Sequence, residues 1–162
     1  MLVVLLALLA SAVYPNLVAM REGRIERAFP GAVRRIAMEA RERAISDGRT
    51  YALSFGDQLQ RLTLIEPSLD GAQDTEISAV QLTSTVQTGR LEIQGREANS
   101  ADWVLNFYPD GSSDGGGVEF RRGNAVFALQ VQAANGAIRL IDGPLPDVST
   151  QRWQAGEIEH RL

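Results

Sequence analysis

The stretch of this 162-residue chain that most resembles a chemical site is the glycine-rich segment from Phe107 to Phe120. Asp110, Ser112 and Asp114 followed by Gly115 have the 1, 3, 5, 6 spacing of a calcium-binding EF-hand loop. Position 12 of such a loop supplies a bidentate carboxylate, but here it is Arg121. The match to a metal site is therefore partial, and a glycine-rich connection between two strands is the favoured interpretation.

Groups that could perform catalysis are scarce. The single histidine, His160, is the third residue from the C-terminal end, and the chain contains no cysteine. No glycine-rich phosphate loop of the Walker type is present, and no pair of carboxylates has a context that would separate their pKa values. We therefore predict a protein that is not an enzyme and that uses no metal and no cofactor.

Charge is distributed unevenly along the chain. Residues 1–50 carry eight arginines and five acidic residues, a net +3, whereas residues 51–162 carry eight arginines and fifteen acidic residues, a net −7. Because non-specific binding of nucleic acid depends on basic side chains that neutralise phosphates, DNA is not expected as a partner. A hydrophobic content of 44% is sufficient for a buried core.

From residue 49 onward, apolar residues recur with a period of two, which predicts half-buried strands. The predicted strands cover residues 50–55, 60–65, 77–82, 90–93, 103–108, 117–121, 125–132 and 137–141. Asn135-Gly136 predicts a tight primed turn with positive φ at both positions. Residues 67–75 and 95–102 are predicted loops, and Pro144 and Pro146 predict a surface tail after residue 143.

Before the strands, residues 16–47 show helical spacing. One face of the predicted helix is apolar and should pack on a sheet; it consists of Val33, Ile36, Ala37, Ala40 and Ala44. Arg34 and Arg41 are among the residues predicted to point into solvent, and Glu39 should pair with both Arg35 and Arg43. Pro30 predicts a bend or a short break, and Gly48 ends the helix.

The first fifteen residues have a different character, because from Leu2 to Val13 only Ser11 is polar. As a helix these twelve residues span ~18 Å, whereas the core of a bilayer measures roughly 30 Å. A buried core helix, a secretory signal peptide, and a membrane segment whose start lies upstream of Met1 are the alternatives, and we favour the third. The residues of the predicted membrane and filament helix are Leu2, Val3, Val4, Leu5, Leu6, Leu8, Leu9, Val13 and Pro15.

Two blocks of sequence resemble known families. Residues 1–6, followed by small and apolar residues and then Tyr14-Pro15-Asn16-Leu17, resemble the N-terminal helix of type IV pilins and type II secretion pseudopilins. Phe107-x-Pro109-Asp110-Gly111-Ser112-Ser113 resembles the late hairpin of the H-type pseudopilins (GspH) and the related FimT minor pilins. The family resemblance also includes residues 39–45 and 135–140. In these families a peptidase site, a methylated phenylalanine and a glutamate precede the residues that match Met1 onward. We expect the reading frame to continue upstream and to encode them.

The resemblance implies an α+β, pilin-like fold, in which a long N-terminal helix of the transmembrane type packs on an antiparallel β domain of about eight strands. Residues 1–30 would be the membrane anchor and filament core, residues 31–143 the globular domain, and residues 144–162 a C-terminal tail. The implied protein crosses the bacterial inner membrane once and carries its globular domain in the periplasm. Its implied partners are other pseudopilins, contacted through the N-terminal helix, together with exported protein substrates.

Three functions follow from these interpretations. The first is a minor pseudopilin of a type II secretion system, near the tip of the periplasmic pseudopilus. The alternative is a minor pilin in type IV pilus assembly or DNA uptake. DNA binding is associated in the family with a Gly-Arg-x-Arg stretch, and Gly136-Ala137-Ile138-Arg139 keeps one of its two arginines, Arg139. The third is a β domain on an ordinary membrane anchor, without filament partners.

Overall fold

The computed structural model describes residues 28–55, 60–68 and 73–146. Within them, one helix, α1 (residues 28–47), precedes nine strands in two antiparallel sheets. The strands are β1 (Tyr51–Phe55), β2 (Arg61–Glu66), β3 (Thr75–Gln81), β4 (Val86–Ile93), β5 (Arg96–Glu97), β6 (Val104–Phe107), β7 (Gly116–Arg122), β8 (Ala125–Val131) and β9 (Ile138–Asp142). The four-stranded sheet has the order β3-β2-β1-β6, and the five-stranded sheet has the order β5-β4-β7-β8-β9. The predicted α+β class is confirmed.

The helix α1 buries the face that its sequence predicts. Val33, Ala37 and Ala40 are fully buried in one core cluster with residues of both sheets, whereas Arg34 is exposed. Alanine leaves room for a close approach of helix and sheet, while Val33 and Ile36 (3% exposed) each contribute about 1.5–3 kcal/mol by burial. This face fixes the orientation of the helix on the sheets.

The sequence predicts one feature near each end of the described helix, at Pro30 and at Gly48. Residues 28–47 are helical without interruption through Pro30, so the alternative of a short break at that position is wrong; the φ that proline imposes is compatible with a helix. The alternative of a bend stays a prediction, because the residues before 28 lie outside the described residues. Gly48 has a φ of 65°, a left-handed value at which glycine carries no steric penalty. The predicted end of the helix is therefore confirmed.

One of the two predicted ion pairs on α1 is formed. Arg43 Nε lies 3.0 Å from Glu39 Oε1, and the other carboxylate oxygen of Glu39 accepts a hydrogen bond from Ser78 Oγ of β3 at 3.3 Å. The predicted pair between Arg35 and Glu39 is wrong, because both oxygens of Glu39 are directed to these other partners. The bond to Ser78 links α1 to the edge of the four-stranded sheet.

All eight predicted strands are present, with boundaries that differ by up to four residues, and β5 is an additional strand. It lies inside the predicted loop of residues 95–102. Gln94 and Gly95 have φ values of 50° and 72°, and they form a two-residue hairpin turn between the paired residues Ile93 and Arg96. A primed turn therefore occurs at Gln94-Gly95, which is not one of the residue pairs typical of such a turn.

The turn predicted at Asn135-Gly136 has a different form. Gly136 has a φ of 58°, but Asn135 has no positive φ, and residues 132–137 form a longer connection between β8 and β9. Gly136 N–H donates to the carbonyl of Gln132 at 2.9 Å, and Ala137 N–H donates to Asn135 Oδ1 at 3.0 Å. The prediction of a two-residue primed turn is wrong because the asparagine side chain closes a wider turn.

The core between α1 and the sheets is built around Phe120 of β7. Its ring centroid lies 5.3 Å from that of Phe29 in an edge-on arrangement and 5.2 Å from that of Phe127 in a stacked one. Phe55 of the other sheet lies 6.4 Å from Phe120 and 5.2 Å from Trp103. Aromatic pairs at these separations add to the burial energy, so this cluster joins helix and both sheets.

Candidate functional site

The loop that carries the calcium-like spacing binds its own backbone and the neighbouring strand. Asp110 Oδ1 accepts hydrogen bonds from Ser112 Oγ at 2.6 Å and from Ser112 N–H at 2.9 Å, and these bonds lower the pKa of Asp110. Asp114 Oδ2 accepts from Asn106 Nδ2 at 2.7 Å and from Asn106 N–H at 3.1 Å. Its Oδ1 accepts from Tyr108 Oη at 2.7 Å, which raises the pKa of Tyr108.

The two aspartates of this loop therefore have separate sets of donors. Within residues 28–55, 60–68 and 73–146, no three His, Cys, Asp or Glu side chains are grouped so that they could hold a metal ion. The sequence singles out Asp110, Ser112 and Asp114 for their calcium-loop spacing. Their geometry is that of an Asx-type turn followed by a carboxylate that holds β6.

The same loop joins the two sheets. Ser113 pairs with Phe107 in an isolated bridge, and its N–H and hydroxyl donate to the carbonyls of Ala133 and Gln132 at 2.9 and 3.0 Å. A Cβ on Gly116 would lie 2.3 Å from the carbonyl oxygen of Glu92. The glycines after Asp114 thus allow a close approach of backbones, and the loop is a structural junction.

Arg139 of β9 lies on the outer face of the five-stranded sheet, the face that points away from α1. It is exposed and pairs in register with Gln130, whereas the adjacent pairs Val131 with Ile138 and Leu129 with Leu140 face the helix side. The structure therefore places Arg139 apart from the arginines of α1.

A second cluster, which sequence reasoning missed, is on that outer face. Glu119 of β7 is 3% exposed, and its Oε1 accepts the N–H of Leu145 at 2.9 Å. Arg90 of β4 donates from Nη2 to the carbonyl oxygens of Leu145 at 2.8 Å and Pro146 at 3.4 Å. Strand alternation assigns Glu119 to solvent, and only the return of residues 143–146 over the sheet buries it.

We call residues 143–146 the C-terminal strap. Because Pro144 and Pro146 have no N–H, Leu145 supplies the one backbone donor between them, and Glu119 accepts it. Leu145 is 5% exposed and lies against Gly117, where an added Cβ would come within 2.5 Å of Leu145 Cδ2. The predicted surface tail thus has a buried residue near its start, and residues 147–162 lie outside the described residues.

A third feature is a groove between α1 and the β8–β9 connection, with a cavity of about 120 Å³. We call it the Arg41 groove; its lining residues are Arg34, Met38, Arg41, Glu42, Gly136 and Ile138. Arg41, predicted to point into solvent, is instead half-buried, and its Nε is buried without a hydrogen-bond partner. A buried donor without a partner costs about 1–3 kcal/mol, so such an atom calls for an explanation.

Glycines create the position of Arg41. A Cβ on Gly136 would lie 3.2 Å from both Cδ and Nε of Arg41 and 2.5 Å from the carbonyl oxygen of Gly111. A Cβ on Gly111 would lie 3.7 Å from Arg41 Nη2. The two glycines, both with positive φ, therefore let their loops close on the side chain.

The residues of the predicted membrane helix, Leu2 to Pro15, lie outside the described residues, as does His160. Within the described part of the chain, no helix is long and apolar enough to span a membrane. The membrane and filament contacts of the N-terminal residues therefore stay predictions.

Solved structures similar to this one include a pseudopilin and a pilin. The minor pseudopilin EpsH from the type 2 secretion system of Vibrio cholerae matches with a TM-score of 0.55 at 16% identity, over 70% of this chain and 93% of EpsH. The type IV minor pilin FimU of Pseudomonas aeruginosa matches with a TM-score of 0.54 at 14% identity, over 75% of this chain and 94% of FimU. No protein-family model and no curated protein sequence matches this chain. The helix packed on two antiparallel sheets, together with these two likenesses, gives the chain a pilin-like fold, that of the minor pseudopilins and minor pilins.

Proposed function

We propose that this chain is a minor subunit of a pilin-like filament, and specifically a minor pseudopilin of a type II secretion system. The observation that carries the broader part of the proposal, a minor subunit of a pilin-like filament, is the match of this chain to 93% of EpsH and 94% of FimU. This part is supported by the apolar run from Leu2 to Val13, which precedes the described helix and has the character of a membrane segment. The choice of a secretion system rests on the sequence, in which residues 51–162 carry a net charge of −7 and residues 136–139 keep one of the two arginines associated with DNA binding.

In this function, the apolar N-terminal helix holds the subunit in the inner membrane before assembly and then packs against the helices of other subunits. The globular domain lies in the periplasm and presents its surface to neighbouring subunits and to exported proteins. No catalytic step is needed. The best-defined polar clusters, around Asp114 and Glu119, direct their carboxylates to partners within the domain, as expected of a scaffold.

A minor pilin of a type IV pilus is the second candidate. FimU matches with a TM-score of 0.54 against 0.55 for EpsH, so likeness of fold favours the two systems equally. The genes on either side of this one distinguish them. Neighbouring genes for other pseudopilins and a secretion ATPase favour secretion, and neighbouring genes for pilus subunits favour the pilus.

The proposed function is tested by a photo-cross-linking amino acid at Leu6 of the full chain, expressed in its own host. We expect cross-links to other pilin-like subunits in the inner membrane and loss of protein export when the gene is deleted. Cross-links to lipid alone, with export intact, would support a β domain on an ordinary anchor and would contradict the proposal.

We further propose that the chain binds duplex DNA weakly or not at all, because residues 51–162 carry a net charge of −7. A gel-shift titration of the full chain at low salt tests this. Sub-micromolar binding that is lost in Arg139→Ala would favour the DNA-uptake alternative.

A further inference from the structure

The side chain of Arg41 is held in position by packing rather than by an ion pair. It lies between Gly136 and Gly111, and within the described ranges it forms no ion pair and no side-chain hydrogen bond. Arg34, on the same helix face, likewise has no such partner among the described residues, although Glu42 also lines the groove. A guanidinium group fixed in advance, with its donors unused, is well suited to bind a carboxylate from another molecule.

The Arg41 groove also exposes apolar side chains. Met38 is 41% exposed and lies between the two arginines on the same helix face. With Arg34 at position i, Met38 is at i+4 and Arg41 is at i+7. Ile45, 48% exposed, continues the same face by one turn and lies next to Gly111. These are two of the four large apolar side chains that are exposed in the described parts of the chain. The groove thus combines positive charge with exposed apolar surface.

Strand β9 forms the opposite wall, and it is an edge strand. It pairs with β8 on one side and ends the order of the five-stranded sheet on the other. Ile138 lines the groove, and Leu140, 37% exposed, shares its face because it pairs with the buried Leu129. An edge strand offers backbone donors and acceptors to an added strand.

We infer that the Arg41 groove binds an extended acidic segment of a neighbouring pilin-like subunit whose sequence differs from that of this chain. The segment adds as a strand to the free edge of β9, places a carboxylate on Arg41 and Arg34, and packs an apolar side chain on Met38 and Leu140. The inference rests on the proposed function, since it names the partner as another subunit. It is supported by charge complementarity, because Arg34 and Arg41 line the groove and no carboxylate of the described residues binds either of them.

An acidic protein segment fits the groove better than DNA does. Glu42 repels both kinds of anion and does not separate them, but Met38, Ile138 and Leu140 offer apolar contacts that a phosphate backbone cannot use. Arg139, the other arginine of this region, lies on the opposite face of the sheet and cannot extend the groove into a basic track. The experiment must therefore distinguish binding of DNA from binding of an acidic protein segment.

The test places a photo-cross-linking amino acid at Met38 of the full chain in its own host, with Ser84 as a matched position. Ser84 is an exposed residue between β3 and β4, outside the groove. We expect the Met38 probe to cross-link to an acidic segment of a pilin-like subunit, identified by mass spectrometry, and the Ser84 probe not to do so. In a second set of experiments, the photo-cross-linking amino acid is at Leu140. In that background, Arg41→Glu should reduce the cross-linking yield about tenfold or more, and Arg41→Lys should reduce it less.

One further variant and the Leu6 probe keep the result interpretable. Met38→Glu adds an acidic charge to the groove at an exposed position, so it should abolish the Leu140 cross-link while the thermal unfolding of the chain is unchanged. If Leu6 cross-links to pilin-like subunits but the groove probes do not, the groove inference is wrong and the proposed function stands. If Leu6 fails as well, the function itself is contradicted.

Three other outcomes overturn the inference. They are a yield that Arg41→Glu leaves unaltered, cross-links to a second copy of this chain alone, and sub-micromolar binding of duplex DNA that Arg34→Glu and Arg41→Glu remove.

Discussion

Arg90 and Arg41 are both partly buried arginines beside the five-stranded sheet, and each has a buried Nε without a hydrogen-bond partner. Arg90 nevertheless donates to the carbonyl of Leu145 at 2.8 Å and lies 3.8 Å from Glu119 and 3.5 Å from Glu92. Arg41 forms no corresponding contact within the described residues. The guanidinium of Arg90 therefore stabilises its own chain, whereas that of Arg41 is held in place by packing and binds no side chain of the described residues.

The largest difference should appear when the acidic partner of the strap is removed. Glu119→Ala leaves the Leu145 N–H without its acceptor and removes one of the two carboxylates that lie near Arg90, so we expect a loss of about 3 kcal/mol in the free energy of unfolding. Arg41→Ala removes no acceptor and should cost about 1 kcal/mol or less. Urea unfolding of the full chain in a mild detergent, followed by circular dichroism, measures both.

If Glu119→Ala and Arg41→Ala lower the stability equally, the distinction between the two arginines is not valid. The variant Glu119→Gln gives a finer measure. It keeps a carbonyl oxygen for the Leu145 N–H but removes the charge. Its loss of unfolding free energy should lie between those of Glu119→Ala and Arg41→Ala.

A smaller effect is expected from the glycine under the strap. In Gly117→Ala the new Cβ would lie 2.5 Å from the carbonyl oxygen of Leu129 and from Leu145 Cδ2, so the strap must shift, at a cost of about 1–3 kcal/mol. The control is Gly31→Ala, because no atom lies within 4 Å of its Cβ and the residue is helical. That control should gain about 0.5–1 kcal/mol.

Limited proteolysis separates the two glycine variants further. Gly117→Ala should expose the chain after residue 142 to cleavage, and Gly31→Ala should not. Equal protection of that segment in both variants would contradict the contact between Leu145 and Gly117 as the cause.

The smallest effect concerns the loop beneath Arg41. Tyr108→Phe removes the hydrogen bond to Asp114 and should cost about 1 kcal/mol. The bond raises the pKa of Tyr108 above its ordinary value of 10.0, so its contribution is complete below pH 10 and is lost as the pH rises through the higher folded value. The stability difference between the two proteins should therefore be constant below pH 10 and shrink above it.

Urea unfolding at a series of alkaline pH values, with an ultraviolet titration of the phenol, makes this measurement. A difference that persists unchanged at the highest pH would mean that the bond between Tyr108 and Asp114 is not what the substitution removes.

The sequence predicted what depends on local periodicity. The spacing of Val33, Ile36 and Ala40 identified the buried helix face, and alternation identified eight strands. Features that depend on distant parts of the chain were missed. Arg41 is half-buried because glycines at positions 111 and 136 close on it, and Glu119 is buried because the strap returns over a face that alternation assigns to solvent. The turn at Asn135 was also mispredicted, because the asparagine side chain closes a wider connection between β8 and β9.

The strap also has a consequence for the biogenesis of the protein. Glu119 and Arg90 leave the ribosome well before Leu145, and until Leu145 arrives the outer face of β7 holds a carboxylate without its backbone donor. The sheet is therefore completed by nearly the last of the described residues. A polypeptide that terminates before residue 145 lacks the N–H that Glu119 accepts, so its outer face is less stable than that of the finished chain.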